Sequence, residues 1–381
     1  MTKVRVFFLF LTIIFVSVVG YFAALLARGY RFDIDSLKFL ANGILVAKSD
    51  SDGASIYING DLRGATNTNI KLAPNTYNVE IKKDGYITWQ KKLTIKKEEV
   101  TQVTAQLFKS APSLSPITFD GAENPVVSKD SSKIAYIGND SLWVMSVSSL
   151  PIGFPNEPKK ITDMVSSKGT TYTFSPDGRQ ILLDTPTGSF VLDSGQFTPQ
   201  SQRINIQAKR EETIKKWAED KKKKDSSEIK LLPEALAEVF KKNIKEFTFS
   251  PDETMVLYEA SSEAKLNEYL INKLPGSSTQ KEERDVKPGK KYVYDIKEDK
   301  NFLVGEKETV LYWLPTSRHL IESQKEKIIV MDYDGTNKQV VFSGNYIYPN
   351  AYPFVNASKL LILTNFGSDS KLPNLYSLSI K

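Results

Sequence analysis

The chain has 381 residues, a formal net charge of +6 and no cysteine. The absence of cysteine excludes disulfide bonds, thiol catalysis, cysteine-based metal sites and an anchor attached through a lipid-modified cysteine. The positive charge is partly collected in one lysine-rich segment with acidic residues mixed in, so no nucleic-acid partner is predicted.

The N-terminal segment predicts a membrane anchor. Val6 to Ala27, VFFLFLTIIFVSVVGYFAALLA, is apolar and uncharged, and a helix of this length spans the hydrocarbon core at about 1.5 Å per residue. We therefore assign residues 1–32 to a transmembrane anchor. A cleaved signal peptide is the alternative, because small residues occur at Ala23, Ala24 and Ala27.

The flanking charges are nearly balanced, with Lys3 and Arg5 before the apolar run and Arg28, Arg31 and Lys38 after it. A short tail ahead of a signal-anchor leaves the downstream chain to be exported. We therefore expect a single-pass protein of the cell membrane, with its large C-terminal part extracytoplasmic.

The next segment predicts a small β domain. Gly43 to Ile95 alternates strands and turns, and Asn59-Gly60 is a strong signal for a two-residue hairpin turn. A second turn is expected at Asp84-Gly85. The spacing of Gly60 and Gly64, the LAPNTYNVEI strand and the following Gly-Tyr resemble the PEGA domain, a small surface β-sandwich. The resemblance implies such a domain at residues 42–108, although Ser-Asp-Gly-Ala stands where that family usually has Pro-Glu-Gly-Ala.

Aromatic residues in this small domain allow two interpretations. They could form a sugar-binding stripe or belong to the core, and core is the commoner role of aromatic side chains in a small β domain. The residues are Tyr57, Tyr77, Tyr86 and Trp89.

A turn motif recurs through the rest of the chain. TFSPDGRQILL at Thr173–Leu183 returns as TFSPDETMVLY at Thr248–Tyr258, and each copy ends one strand, turns the chain and begins another. Proline presets φ, aspartate bonds nearby amides and glycine tolerates positive φ. Three further copies align at Val126–Ile137, Trp313–Ser323 and Phe354–Leu363. Recurrence indicates a unit from which the fold is built.

The repeated units resemble propeller blades. SLWVMSV at Ser141–Val147 and KIIVMDYDGTNKQVVF at Lys327–Phe342 each supply a further alternating strand, giving about four short strands per unit. With the turn motif they resemble TolB-like and WD40-like repeats, which implies a β-propeller over residues 111–381. We expect about five blades, with six as the alternative, and a closing strand from Ser113–Phe119. A β-sandwich fits less well, because it gives no reason for the turn to recur.

A charged segment at residues 208–246 interrupts the β pattern and predicts a helical hairpin linked by KKKKDSS. Pro233 suits the first turn of a helix. A deletion of residues 208–245 is expected to leave the propeller folded. We consider this insertion either a solvated face or an adaptor that docks a partner or an anionic surface. The candidate partner-docking residues are Trp217, Leu236, Val239 and Phe240.

No catalytic, cofactor or metal site is predicted. His319 is the single histidine, and without a glycine-flanked serine nucleophile its expected role is structural. Asp332, Asp334 and Asn337 lack the distal carboxylate of a calcium loop. Pairs of carboxylates for glycoside hydrolysis depend on the fold, and nothing in the sequence singles one out.

The fold class predicted from the sequence is all-β: a transmembrane helix, a PEGA-like sandwich, then a propeller with a helical insertion. The predicted function is a non-enzymatic, membrane-anchored scaffold or binding protein of the cell envelope. Its propeller would recognise an envelope protein or glycan. The alternatives are an envelope hydrolase, or a domain accessory to one, and a transmembrane sensor. The sensor is less favoured because few residues precede the apolar run.

Overall fold

A computed structural model of the protein describes residues 3–27, 30–33, 38–147, 157–269, 278–354, 356–365 and 372–381. The chain divides into two compact units. The first contains the described residues up to Leu107 together with 278–280, and the second contains the other described residues from Phe108 onward.

The N-terminal apolar run forms one continuous helix, α1, Lys3–Ala27. Val4–Ala27 is long and apolar enough to cross a membrane, and no part of it is buried inside the protein. Its length and composition also suit a signal sequence. A short antiparallel hairpin follows, with strands β1, Tyr30–Asp33, and β2, Lys38–Ala41.

The first unit contains two small sheets with the orders β6-β3-β9 and β5-β4-β7-β8. All neighbouring strands are antiparallel except β3 and β9, which are parallel. The seven strands are β3, Gly43–Ser49; β4, Ser55–Ile58; β5, Asp61–Ala65; β6, Thr68–Leu72; β7, Asn75–Lys82; β8, Trp89–Ile95; and β9, Val100–Ala105.

One hydrophobic core joins the two sheets into a sandwich. Leu45 of β3, Ile56 of β4 and Ile81 of β7 are completely buried in it, because alternate side chains of each strand point to the same face. The predicted hairpin turn is confirmed, since Asn59 and Gly60 both have positive φ.

Core packing also accounts for the aromatic residues of this unit. Trp89 is only 2% exposed, and Tyr77 and Tyr86 pack against the same core. The Tyr57 ring lies under Lys82, with the ammonium 4.6 Å from the ring centroid. The core interpretation of Trp89, Tyr77 and Tyr86 is therefore confirmed.

Among the described residues, the second unit contains five larger antiparallel sheets, four with four strands and one with three, and a separate two-stranded sheet. Most neighbouring strands in the larger sheets are consecutive in the chain; β19-β22 and β10-β30 are the exceptions. This is the arrangement of propeller blades. The strands before the insertion are β10, Ser113–Pro116; β11, Glu123–Val127; β12, Lys133–Gly138; β13, Ser141–Ser146; β14, Lys159–Asp163; β15, Thr171–Phe174; β16, Gln180–Thr185; and β17, Gly188–Asp193.

The insertion consists of helices α2, Arg210–Ile229, and α3, Glu234–Asn243. The strands after it are β18, Ile244–Phe249; β19, Met255–Ala260; β20, Ala264–Lys265; β21, Asp285–Val286; β22, Lys290–Asp295; β23, Lys300–Glu306; β24, Val310–Trp313; β25, His319–Gln324; β26, Lys327–Asp332; β27, Gln339–Ser343; β28, Ala351–Phe354; β29, Lys359–Thr364; and β30, Asn374–Ser379.

We number the sheets in chain order as blades 1 to 5. They are β11-β12-β13-β14, β15-β16-β17, β18-β19-β22-β23, β24-β25-β26-β27 and β10-β30-β29-β28. The short pair β20-β21 extends from blade 3. Five blades among the described residues agree with the smaller of the two predicted numbers.

The ring is closed by a strand from its own beginning, as the sequence predicts. Strand β10 pairs antiparallel with β30, with Ser113 opposite Ser379 and Pro116 opposite Tyr376. Shared cores join blade 5 to blade 1, blade 1 to blade 2, and blade 3 to blade 4. The pairing with β10 covers the edge of β30, which would otherwise be open.

The recurrent turn is the same structure in blades 1, 2 and 3. In blade 2, Ser175 Oγ donates to Asp177 Oδ1 at 2.6 Å and accepts from the Gln180 amide at 2.9 Å. Asp177 Oδ1 also accepts from the Arg179 amide at 3.1 Å. These hydrogen bonds lower the pKa of the Asp177 carboxyl. Equivalent serine–aspartate pairs occupy the other two turns: Ser128 with Asp130, and Ser250 with Asp252.

Replacing Ser175 with alanine should lower the free energy of unfolding by about 1–2 kcal/mol at neutral pH, because the Gln180 backbone amide loses the partner that the buried Ser175 side chain supplies. The pKa of Asp177 is lower in the folded protein than in the unfolded chain, where it is about 3.9. The ionised carboxylate therefore stabilises the fold above about pH 3.9, and this stabilisation is lost as the pH falls further. The difference between Ser175→Ala and wild type should therefore narrow below about pH 4. Thermal unfolding from pH 7 to 3 tests this, with the exposed-site variant Thr187→Ala as control. A difference that stays constant across this range would contradict the prediction.

The helical insertion is confirmed, but its predicted link is wrong. KKKKDSS lies within α2, and the break between the helices falls at residues 230–233 instead. Lysine favours helix strongly, and Lys221 and Asp225, four residues apart, form an ion pair of 2.8 Å. Pro233 immediately precedes α3 and disfavours helical backbone in the residue before it, which explains where the helices separate.

The insertion belongs to the core of blade 3. Leu236 and Phe240 of α3 are 4% and 2% exposed and pack in one cluster with Val256, Tyr258 and Tyr292. The Phe240 and Tyr258 ring centroids are 5.0 Å apart. The helices therefore cover the face of blade 3 opposite the one that packs against blade 4. This overturns the expectation that the propeller would keep its fold without them.

Candidate functional site

The first strands of blades 1, 3, 4 and 5 converge on one cavity of about 680 Å³. We call it the channel-mouth cavity. It is lined by residues 125–132, Val147, Thr248, Phe249, Pro251, Leu257, residues 311–313, Pro315, Tyr352 and Pro353.

One wall of the cavity is aromatic. The rings of Tyr312 and Tyr352, from blades 4 and 5, meet edge to face with centroids 5.4 Å apart. Trp313 Nε1 donates to the Thr248 carbonyl oxygen at 3.1 Å and so links blade 4 to blade 3. Burial raises the pKa of both tyrosines. The Tyr352 hydroxyl donates to Asn350 Oδ1 at 2.6 Å, whereas the Tyr312 hydroxyl forms no hydrogen bond with the described residues.

Another part of the lining is the turn of blade 1, which carries serines and one carboxylate. Burial works against ionisation of Asp130, but hydrogen bonds from Ser128 and Ser132 outweigh it and lower the pKa of this carboxyl. Asp130 Oδ1 accepts from the Ser132 amide at 3.1 Å and from Ser132 Oγ at 2.8 Å. The carboxylate is therefore engaged in holding its own turn.

A charge cluster joins the cavity rim to the insertion. Lys129 of the blade 1 turn forms an ion pair with Asp225 of α2, and Lys221 pairs with the other oxygen of the same carboxylate. Burial opposes ionisation of Asp225, but these two lysines lower its pKa. The Lys129 ammonium also lies 5.6 Å from the Phe247 ring centroid. The insertion thus neutralises the basic group at the rim.

The cavity offers apolar surface together with the hydroxyls of Ser131 and Tyr312. Among the described residues that line it, Asp130 is the single carboxylate, and asparagine, glutamine and glutamate do not occur. Facing carboxylates for glycoside hydrolysis are therefore not assembled in this lining. A partly apolar ligand with a few hydrogen-bonding groups fits such a surface.

The four candidate docking residues do not form one continuous surface. Leu236 and Phe240 are in the core of blade 3, so their assignment as docking residues is wrong: their burial against the sheet leaves no accessible face. Val239 is partly buried against the same core. Trp217 lies instead beside blade 2, where it lines a separate cavity.

The histidine and the DYDG turn have structural roles. His319 is 5% exposed at the start of β25, its ring lies edge to face against Phe108, and Nδ1 lies 2.9 Å from Thr316 Oγ1. In the turn, Asp334 Oδ1 accepts from Thr336 Oγ1 at 2.6 Å, and Asn337 donates to Asp332 at 3.0 Å. Over the described ranges, no group of three acidic or histidine side chains is placed to hold a metal ion.

Sequence reasoning missed the residues of the aromatic wall. Tyr312 and Trp313 end the first strand of blade 4 directly before its turn, and Tyr352 lies in the first strand of blade 5. These aromatic residues could have been found from their positions, because they lie just before the repeated turn or just before a copy of it. That position corresponds to Phe249 in blade 3, which lines the same cavity.

Comparison with known proteins supports the domain order. Residues 42–111 match the family model of the PEGA domain, which confirms that resemblance. No curated protein sequence matches the chain.

Several solved structures are similar to the chain at low identity. TolB from Acinetobacter baumannii is 12% identical, with 86% of this chain and 64% of that chain covered and a TM-score of 0.23. A putative TolB from Agrobacterium tumefaciens is 12% identical, with coverages of 67% and 78% and a TM-score of 0.22. An oligogalacturonate lyase from Vibrio parahaemolyticus is 10% identical, with coverages of 92% and 96% and a TM-score of 0.23. The propeller assignment rests on the five sheets and their closure, since likenesses this low carry no functional argument.

Proposed function

We propose that this chain is a non-enzymatic, membrane-anchored binding protein of the cell envelope, with its PEGA domain and propeller outside the membrane. The channel-mouth cavity is its recognition site, and the ligand is a partly apolar segment of an envelope protein. Helix α1 is the anchor in this proposal, because its apolar side chains are exposed along its whole length.

The cavity lining is the observation that carries the proposal. A site for a neutral sugar uses several fixed polar groups for the ring hydroxyls, whereas most of the lining here outside the turn of blade 1 is proline, leucine, valine and aromatic rings. An apolar peptide segment could bury those surfaces and use the Ser131 and Tyr312 hydroxyls for its backbone groups. The engaged carboxylate of Asp130 favours binding over carboxylate-pair hydrolysis.

The absence of cysteine allows one experiment to test both topology and binding. Thr248→Cys places a thiol on the exposed rim of the cavity, and Thr187→Cys places one on an exposed hairpin tip of blade 2 as the matched control. In intact cells, a membrane-impermeant maleimide should label both variants. A maleimide–photoreactive reagent should then cross-link one protein, in the membrane fraction, from Thr248→Cys only.

The competing functions give different results. Failure of both thiols to react in intact cells would place the propeller inside the cell and contradict the proposed topology. Identical adducts from the two positions would show that the cavity is not the recognition site. An adduct resistant to protease but degraded by glycosidases would identify a glycan ligand in place of a protein.

A further inference from the structure

A second cavity, of about 520 Å³, lies between the turn of blade 2 and helix α2. The blade side is lined by Ser175, Pro176, Asp177, Arg179, Gln180 and Asp193, and the helix side by Lys216, Trp217, Asp220 and Lys224. We call it the helix–blade cavity. It is distinct from the channel-mouth cavity, with which it shares no lining residue.

The helix wall is held in place on both sides of this cavity. At the start of α2, Arg210 donates two hydrogen bonds of 2.8 Å to the Asp184 carboxylate of blade 2. Farther along α2, Asp225 pairs with Lys129 of blade 1. Because these contacts fix the helix independently of any ligand, the cavity is preformed.

Trp217 is the unusual residue of this cavity. Trp89 is a core side chain, and the indole nitrogens of Trp143 and Trp313 donate to backbone carbonyls at 2.9 and 3.1 Å. Within the described part of the chain, Trp217 has neither a hydrogen bond nor a ring contact, although a half-buried indole usually finds a partner. Its ring and its N–H are therefore both available to a ligand.

The lining carries three carboxylates and three cationic groups. Arg179 lies 3.9 Å from Asp177, whereas the ammonium groups of Lys216 and Lys224 form no ion pair with described residues. The carboxylates have partners within the protein: Asp177 accepts from Ser175 and the Arg179 amide, and Asp193 accepts from the Gly195 amide at 2.7 Å. Asp220 lies 3.9 Å from Lys223. An anion entering the cavity would thus meet unpaired ammonium groups beside a free aromatic ring.

We propose that the helix–blade cavity binds an anionic sugar, a pyranose ring carrying a carboxylate or a phosphate group. The apolar face of the sugar ring stacks on Trp217, while the ammonium groups of Lys216 and Lys224 bind the anionic group through charge-assisted hydrogen bonds. The side-chain amide of Gln180 belongs to the same lining and can bind a ring hydroxyl. This site extends the proposed function, and it would stand even if the channel-mouth cavity bound no protein.

The test titrates the full-length protein in detergent with glucuronate, glucose 6-phosphate, glucose and inorganic phosphate. Binding is followed by tryptophan fluorescence and by saturation-transfer NMR of the sugar. At least one of the two anionic sugars should change the fluorescence and receive saturation, whereas glucose and inorganic phosphate should not at the same concentration. Binding of glucuronate would identify a carboxylate as the recognised anionic group, and binding of glucose 6-phosphate would identify a phosphate.

The variants separate a built site from a general basic surface. Trp217→Phe should remove the fluorescence change, and Trp217→Ala should abolish saturation transfer. Lys216→Ala and Lys224→Ala should each raise the Kd about tenfold, roughly 1.4 kcal/mol. Lys222→Ala, an exposed lysine on the same helix outside the cavity, should leave the Kd unchanged. Equal binding of glucose, equal binding of phosphate alone, an equal effect of Lys222→Ala, or no response to either anionic sugar would overturn the proposal.

Discussion

Ending the chain at Leu372 is expected to abolish cooperative folding of the propeller, because β30 is both the third strand of blade 5 and the partner of the closing strand β10. The truncation removes Leu375, Leu378 and Ile380, all completely buried. Each such side chain contributes about 1.5–3 kcal/mol, so their joint loss is comparable with the whole stability of an ordinary domain. It also leaves β10 and β29 with unpaired edges.

Limited proteolysis and thermal unfolding followed by intrinsic fluorescence measure this effect. A chain that lacks only Lys381 is the matched control and should unfold at the wild-type temperature, since Lys381 lies beyond the last strand. A synthetic peptide of residues 374–381 should partly restore protease resistance to the truncated chain. If the truncated protein unfolded at the wild-type temperature, the stability of the propeller would not depend on the pairing of β30 with β10.

Replacing Phe240 with alanine is expected to lower the free energy of unfolding of the propeller by about 3–5 kcal/mol. Phe240 is 2% exposed and contacts the rings of Phe247 and Tyr258, so the truncation leaves a cavity in a close-packed core. Denaturant unfolding measures the loss. Leu231→Ala is the matched control within the same insertion, because Leu231 is 65% exposed, and its effect should stay within about 0.5 kcal/mol.

A deletion of residues 210–243, closed by a Gly-Ser link, tests the same conclusion at larger scale. It would expose Val256, Tyr258 and Tyr292, each at most 1% exposed in the intact protein. We expect an aggregating or loosely packed product, because an apolar sheet face would be left in contact with water. If the deletion variant unfolded at the wild-type temperature, the insertion would be an appended adaptor and not a part of the blade 3 core.

The sequence alone determined the features that depend on consecutive residues. The Asn59-Gly60 hairpin is encoded where it forms, because its two residues adopt positive φ readily. The Ser-Pro-Asp turn is likewise local, since Ser175, Asp177 and the Gln180 amide satisfy one another within six residues. Because this turn recurs, the sequence also predicted the blades. The strand that begins at Ser113 lies before the first repeat, so it could be predicted to close the ring.

Only the tertiary structure decided what the insertion does and where a ligand could bind. The amphipathic pattern of α3 shows that Leu236 and Phe240 share a face, but a buried face and a docking face have the same periodicity. The neighbouring sheet, with Tyr258 and Tyr292, makes that face core. The channel-mouth cavity joins Val127, Thr248, Tyr312 and Tyr352, residues far apart in the chain. Their meeting depends on how the blades close into a ring, because local sequence fixes turns and strands, whereas contacts between distant strands are set by the packing of whole sheets.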